Sequence, residues 1–226
     1  MNNLPFDAII FDHDGTLIDT ESPDFKAWEM LYEEIGASFS LDHWAELAVG
    51  CTAGYETLFA ELVEWSNNEV TATALRGRLE ELWVSTFEYV ELMPGVHELL
   101  PQLRTAGYRL GVASASDRAW VVRWMTKFNL LPFFEIITTI DDVAHNKPAP
   151  DVYLSAAAKL GVESTRCLVF EDSPFGIRAA KAAGMTVVAV PNIATKNLYL
   201  SQADAIVPSL QNVTTEWIEA LDDHQG

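Results

Sequence analysis

The sequence predicts an α/β protein, with a parallel sheet covered by helices on both faces and an all-α helical bundle inserted near the amino terminus. After about residue 93, short apolar runs alternate with helical stretches, a pattern typical of parallel sheets. Between the first apolar run and that region, residues 23–89 show helical spacing only. The predicted α/β core therefore comprises residues 1–16 and 93–226, and the predicted cap comprises residues 17–92.

The first strand is predicted at residues 6–12, a short apolar run that ends in a carboxylate. The cap is predicted from apolar residues that recur every three or four positions. These residues are Trp28, Leu31, Tyr32 and Ile35, then Leu58, Leu62 and Trp65, then Leu75, Leu79, Leu82 and Trp83.

The rest of the core is predicted to alternate between strands and helices. The strands are Arg109–Ala113, Phe134–Thr138, Cys167–Phe170, Thr186–Val190 and Ala205–Val207. The helices between them are Asp117–Asn129, Asp151–Leu160 and Pro174–Ala183. Gly161 and Gly184 follow the last two helices and are predicted to end them.

Composition excludes several classes of partner. The chain has 33 acidic and 14 basic residues, a net charge of −19, which repels phosphate backbones and anionic lipids. We therefore expect no nucleic acid and no membrane as partners. No apolar run approaches the roughly 20 residues of a spanning helix, and the N-terminus does not resemble a signal peptide. Cys51 and Cys167 are too few for a disulfide framework. These features favour a reduced, cytoplasmic protein, which we expect to be a monomer because no heptad pattern is present.

Polar residues stand where the strands are predicted to end, which is where ligands bind in sheets of this kind. Three clusters directly follow apolar runs, and a fourth precedes the helix at Asp151. The clusters are Asp12-His13-Asp14-Gly15-Thr16, Ser114-Ala115-Ser116, Glu171-Asp172-Ser173 and Lys147-Pro148-Ala149-Pro150.

Each cluster also has an ordinary structural interpretation. Residues 12–16 could be a turn, Ser114 and the Glu171-Asp172 pair could cap helices, and Lys147 could be a solvated loop lysine. Together, however, four carboxylates at one sheet edge would repel one another unless a divalent cation lay among them. Hard oxygen ligands favour Mg²⁺.

A cation at this position suggests phosphoryl chemistry. Mg²⁺ can bridge the carboxylates and a phosphoryl oxygen, and Lys147 can neutralise the remaining charge. Ser114 and the backbone N–H groups that follow it, from Ala115 onward, can hold the other phosphoryl oxygens. One aspartate is then the nucleophile and the next carboxylate the acid and base, which assigns these roles to Asp12 and Asp14.

The four clusters resemble, in order, the four motifs of the haloacid dehalogenase superfamily, whose core is a Rossmann-like sheet. The residues that carry the resemblance are Asp12–Thr20, Val112–Ser114, Lys147–Asp151 and Phe170–Ile177. The helical insertion after the first motif is similar to the small cap of the branch that includes β-phosphoglucomutase and many sugar-phosphate phosphatases.

The resemblance implies a role for each site residue. Asp12 and Asp172 would bind Mg²⁺ through their carboxylates and Asp14 through its backbone carbonyl, and Glu171 would be a ligand or support one. Thr16 lies where the family positions the nucleophile by a hydrogen bond, and we expect it among the residues that bind the phosphoryl group. His13 stands where the family has an apolar residue, and its side chain either packs away from the metal or contacts substrate.

We therefore predict a Mg²⁺-dependent phosphomonoesterase that acts on a small phosphorylated metabolite, such as a sugar phosphate, through an aspartyl phosphate. Dehalogenases of this superfamily lack the second aspartate, so the presence of Asp14 argues against dehalogenation. A phosphomutase remains an alternative, although the resembling mutases have histidine at the position of Asp24 and arginine near Ala53. A phosphate-binding module without catalysis is a third alternative, but Asp12, Asp14, Lys147 and the acidic pair are all present.

Overall fold

The structure is a computed structural model, and it describes residues 4–50 and 53–222 of the 226-residue chain. The described residues contain one sheet of six parallel strands. In chain order the strands are β1 (Ala8–Phe11), β2 (Arg109–Ala113), β3 (Ile136–Thr138), β4 (Cys167–Glu171), β5 (Thr186–Ala189) and β6 (Ala205–Ile206). The prediction of an α/β fold with a parallel sheet is confirmed.

Nine helices lie within the described residues. They are α1 (Glu21–Glu34), α2 (Leu41–Ala48), α3 (Gly54–Trp65), α4 (Ala72–Thr86), α5 (Val96–Ala106), α6 (Arg118–Lys127), α7 (Asp151–Leu160), α8 (Pro174–Ala182) and α9 (Thr215–Asp222). Among the residues that the structure describes, no helix combines the length and the apolar character needed to cross a bilayer.

The strand order places β1 at the topological switch point of the sheet. The order is β3-β2-β1-β4-β5-β6, so the chain adds strands first on one side of β1 and then on the other. Phe11, the last residue of β1, pairs with Val112 of β2 and Phe170 of β4. In sheets of this kind, ligands bind beyond the carboxyl ends of the strands at such a point. Asp12 is the next residue.

The described chain divides into two compact units. The first comprises Met1–Ile18, Leu92–Asn192 and Tyr199–Gly226, and its core is the sheet, with fully buried residues such as Ile9 and Phe11. The second comprises Asp19–Glu91 and Ile193–Leu198.

Helices α1 to α4 form the second unit around buried aromatic rings. Trp28 of α1 and Trp44 of α2 are fully buried, and the Trp28 ring lies 4.8 Å from that of Phe59. The short segment 193–198, which the sequence analysis placed in the core, packs with this unit: Ala194 joins its apolar core, and Asn197 donates a hydrogen bond of 2.9 Å to Asp42.

Candidate active site

Asp12 is held directly beyond the end of β1 by the sheet itself. Its backbone N–H donates a hydrogen bond of 3.0 Å to the carbonyl of Phe170 on β4. The side chain is 8% exposed. The Asp12 carboxylate therefore lies at the carboxyl end of the central strand β1, where it is largely removed from water.

Lys147 joins two of the predicted site carboxylates. Its Nζ lies 2.5 Å from Asp12 Oδ1 and 2.7 Å from Glu171 Oε1. The same ammonium donates to the carbonyl of Ala113 and to the hydroxyl of Tyr153, both at 3.1 Å. Lys147 is buried, and its ammonium group has four acceptors for its three protons. It is therefore a fixed positive charge and not a solvated loop lysine.

Glu171 is fixed at both carboxylate oxygens. Oε1 accepts from Lys147 and from the Tyr153 hydroxyl at 2.8 Å. Oε2 accepts from the backbone N–H of Asp172 and Ser173, each at 3.0 Å, and from the Ser173 hydroxyl at 3.1 Å. A Cβ atom on Gly176, in the first turn of α8, would overlap the Glu171 carboxylate, so the glycine makes room for it.

Asp172 completes a buried group of three carboxylates. One oxygen each of Asp12, Glu171 and Asp172 lies within 4.8 Å of the others. Asn192, which follows β5, donates hydrogen bonds to Asp172 Oδ2 at 2.8 Å and to the carbonyl of Gly15 at 3.1 Å. A compact set of carboxylate oxygens is the donor chemistry that Mg²⁺ prefers, so these residues fit the predicted cation.

Burial and charge shift the pKa values of the central pair. Removal from water raises the pKa of Asp12 to about 7; the Lys147 ammonium opposes this change, and the nearby Glu171 and Asp14 carboxylates add to it. Burial alone would lower the pKa of Lys147, but Asp12 and Glu171 outweigh it and hold that pKa above its ordinary value. Lys147 is therefore charged throughout the physiological range.

The Asp14 carboxylate lies among donors from the loop that follows β2 and from α6. Ser116 Oγ donates to Oδ2 at 2.7 Å, and the indole Nε1 of Trp120 donates to Oδ1 at 2.8 Å. Ser114 Oγ lies 3.5 Å from Oδ2. Burial favours the neutral form, but His13, Trp120 and Ser116 outweigh it and hold the pKa of Asp14 well below its ordinary value.

His13 is fully buried beside Asp14, with Nδ1 3.1 Å from Oδ1. Neither ring nitrogen has a hydrogen-bond partner among the described residues. The His13 carbonyl accepts from the N–H groups of Leu17 and Ile18, which closes the turn around Gly15.

The structure does not bring every predicted side chain into contact with Asp12. The Thr16 hydroxyl is buried and has no hydrogen-bond partner within residues 4–50 and 53–222, so it does not bond to Asp12 here. Ala115 follows Ser114 at the end of β2, and its carbonyl accepts from Asn146 Nδ2 at 3.3 Å. Ser114 is buried and accepts from the N–H of Ser116 at 3.0 Å.

Comparison with known proteins identifies the family. Residues 9–190, which include all four clusters, match the haloacid dehalogenase-like hydrolase family. The chain belongs to this family. The haloacid dehalogenase-like fold and the resemblance stated from the sequence are thereby confirmed.

Among relatives of this haloacid dehalogenase-like hydrolase, the Bacillus subtilis protein YhcW, provisionally named a phosphatase, is 36% identical over 203 residues, or 90% of this chain and 91% of the relative. Fructose-1-phosphate phosphatase YqaB of Escherichia coli is 32% identical over 186 residues, covering 81% and 95% of the two chains. A variant of CbbY from Rhodobacter sphaeroides, solved in complex with xylulose-(1,5)bisphosphate, aligns with a TM-score of 0.70 at 26% identity, covering 92% and 96%.

Three residues around the site of this haloacid dehalogenase-like hydrolase were not predicted from the sequence. They are Trp120, Tyr153 and Asn192. Ser116 belongs to a predicted cluster, but the sequence assigned it no role. Asn192 stands shortly after β5, so extending the strand-end rule to that strand would have found it. Trp120 and Tyr153 are on helices, where sequence spacing alone does not show which side chain reaches the sheet edge.

Proposed function

We propose that this protein is a Mg²⁺-dependent phosphomonoesterase that acts on a small phosphorylated metabolite of the sugar-phosphate class. The observation that carries the proposal is the buried set in which Lys147 joins Asp12 to Glu171, with Asp172 alongside. A carboxylate nucleophile, a fixed cation beside it and a hard-cation donor set are the groups that phosphoryl transfer requires.

In the proposed reaction, Asp12 attacks phosphorus and the bond from phosphorus to the leaving oxygen breaks. Asp14 is ionised without substrate, so it takes up a proton from solvent as the anionic substrate binds and gives this proton to the leaving oxygen. A water molecule then attacks the aspartyl phosphate, Asp14 takes the proton from the water, and the bond between phosphorus and Asp12 breaks to regenerate the carboxylate. Lys147, the Ser114 hydroxyl and the backbone N–H of Ala115 orient the phosphoryl group.

Asp12, Asp172 and the backbone carbonyl of Asp14 would hold the Mg²⁺ ion. When bound, the ion supplies positive charge that lets an anionic phosphoryl group approach the carboxylates. Both Glu171 oxygens already accept hydrogen bonds, which favours a supporting role: Glu171 fixes Lys147 and the turn that presents Asp172.

The substrate class is supported by the relatives. One relative is named for fructose 1-phosphate and one aligned structure holds a pentulose bisphosphate, so sugar phosphates are the class to test first.

The residue at the position of the mutase histidine also argues against a phosphomutase, which must hold a second phosphate. Asp24 is buried and accepts from the hydroxyl of Tyr55 and from Trp83 Nε1, the latter at 2.6 Å. A carboxylate at this position repels phosphate. Arg76 pairs with Glu56, and Arg78 pairs with Glu34 at 2.7 Å, so both guanidinium groups already neutralise carboxylates of their own unit.

Phosphate release from a panel of phosphorylated sugars, polyols and small acids tests the proposal. We expect release that requires Mg²⁺, stops with EDTA and returns when Mg²⁺ is restored, with sugar phosphates among the best substrates. No release from any compound, together with isomerisation of hexose 1-phosphates when a bisphosphate primer is added, would instead establish the mutase.

Binding of Mg²⁺ is expected to weaken as the pH falls through 7. The pKa of Asp12 is about 7, so the carboxylate is protonated below that pH and must lose its proton before it binds a cation. The dissociation constant should rise by up to about tenfold per pH unit below 7. Calorimetric titration with Mg²⁺ at pH 6, 7 and 8 measures it. In Asp12→Asn, whose amide does not titrate, the dependence should be flatter; a wild-type affinity equal at all three pH values would contradict this.

A further inference from the structure

The indole of Trp120 is fixed by the fold before it reaches Asp14. Asp117 caps α6, and its side chain accepts from the backbone N–H of Trp120 at 2.8 Å, which sets the first turn of the helix. The Trp120 ring packs edge to face on Trp124, with centroids 5.6 Å apart, and Trp124 is buried. Backbone and ring are thus both restrained, so Nε1 points in one direction.

Trp120 Nε1 points at Asp14, the proposed acid and base. Trp120 Nε1 donates to Asp14 Oδ1 at 2.8 Å while Ser116 donates to Oδ2 at 2.7 Å, so the carboxylate is held at both ends. An indole N–H can donate but not accept, so it pairs with the carboxylate form, which is the form that takes a proton from water. The carboxylate lies 3.5 Å from Ser114 Oγ, the group proposed to bind the phosphoryl oxygens.

We infer that Trp120 is a positioning residue that holds the Asp14 carboxylate for the second half of the reaction, the attack of water on the aspartyl phosphate. In that step water forms the new bond to phosphorus, Asp14 takes the water proton, and the bond to Asp12 breaks. The inference rests on the proposed function. It assigns to Trp120 no contact with substrate, because the indole acts only through Asp14.

Pre-steady-state kinetics with p-nitrophenyl phosphate and Mg²⁺ separate the two steps. Nitrophenolate is a good leaving group that departs without a proton, so the first turnover does not need Asp14. In Trp120→Phe we expect the first-turnover rate to stay within about twofold of the wild-type rate. Steady-state turnover should fall about tenfold, which is part of the roughly 10²- to 10⁴-fold rate enhancement that a positioned acid or base contributes. Phosphoprotein trapped by acid quench should rise accordingly.

Two further variants distinguish the hydrogen bond from packing. Replacing Trp120 by 3-benzothienylalanine keeps the bicyclic shape but lacks the N–H, and should behave like Trp120→Phe. Trp217→Phe is the matched control: this residue is also half-buried, and it lies on α9, which packs against α5, so both rates should equal those of the wild type.

The kinetic outcomes distinguish failure of this inference from failure of the proposed function. If both rates fall together, if the benzothienyl variant equals the wild type, or if turnover rises, Trp120 does not position the base and the inference is overturned. If Asp14→Asn accumulates phosphoprotein but neither Trp120 variant does, only this inference fails. Wild-type protein that neither releases nitrophenol nor becomes labelled would overturn the proposed function itself, and this inference with it.

Discussion

Asp12→Asn is expected to lower phosphate release by on the order of 10⁴- to 10⁶-fold, the effect of removing a covalent nucleophile. The amide oxygen is too weak a nucleophile to attack phosphorus, and the variant also loses one of the carboxylates of the proposed cation site. Release of inorganic phosphate from the best substrate of the panel, at saturating Mg²⁺, measures the loss. No labelled phosphoprotein should form in the variant, whereas the wild type should carry acid-stable label.

The fold of this variant should survive, because Lys147 keeps its bonds to Glu171, Ala113 and Tyr153. Asp7→Asn is the matched control: Asp7 directly precedes β1, at the opposite end of the same strand, and pairs with Arg166 at 3.1 Å. It should retain wild-type activity. If Asp12→Asn kept more than about 1% of activity, or if the wild type formed no phosphoprotein, Asp12 would not be the nucleophile.

Most of the sheet could be predicted because strands β1, β2, β4 and β5 are almost entirely buried and therefore form short apolar runs. The predicted strand at Arg109–Ala113 and helix at Asp151–Leu160 have the bounds that the structure shows. The third strand begins at Ile136 instead of Phe134, because residues 131–133 form a 3₁₀ turn that contains Pro132 and whose Leu131 carbonyl accepts from the N–H of Phe134. Such a local turn competes with strand formation and has no periodicity of its own to reveal it.

The strand-end rule found much of the candidate site because it depends on topology alone. It placed Asp12, Ser114 and Glu171 at one edge of the sheet, and they follow or end β1, β2 and β4. It could not show how the groups pair. The bonds from Lys147 to Asp12 and Glu171 span 135 and 24 residues of sequence, and such distances carry no local signal.

The structure also decides between the structural and functional interpretations of individual residues. Asp117 caps α6 and Ser173 caps α8, so neither Ser114 nor the Glu171-Asp172 pair is needed as a cap. Cys167 is buried and free, while Cys51 lies outside the described residues. The contact of His13 with Asp14 could not be predicted, because a histidine between two aspartates can turn to either face of the strand.

Lys147→Met is expected to destabilise the protein by about 3 to 5 kcal/mol at pH 8, the cost of removing one partner from a buried ion pair. Methionine keeps the aliphatic stem but leaves the Asp12 and Glu171 carboxylates, which are nearly inaccessible to water, without their shared cation. Chemical denaturation in EDTA measures the free energy of unfolding without a bound cation. The direction of the pH effect follows from Asp12, whose pKa is already raised to about 7 and rises further once Lys147 is gone.

The folded variant therefore binds a proton at Asp12 over a pH range in which the wild type has released it, so the loss should be smaller at pH 6 than at pH 8. Lys181→Met is the matched control: Lys181 pairs with Asp204 at 2.7 Å, but both side chains are partly exposed. Its removal should cost no more than about 1 kcal/mol, as for surface ion pairs. Equal losses in the two variants would mean that the Lys147 ammonium reaches water after all, and an increase in stability would mean that the buried pair is a net cost to the fold.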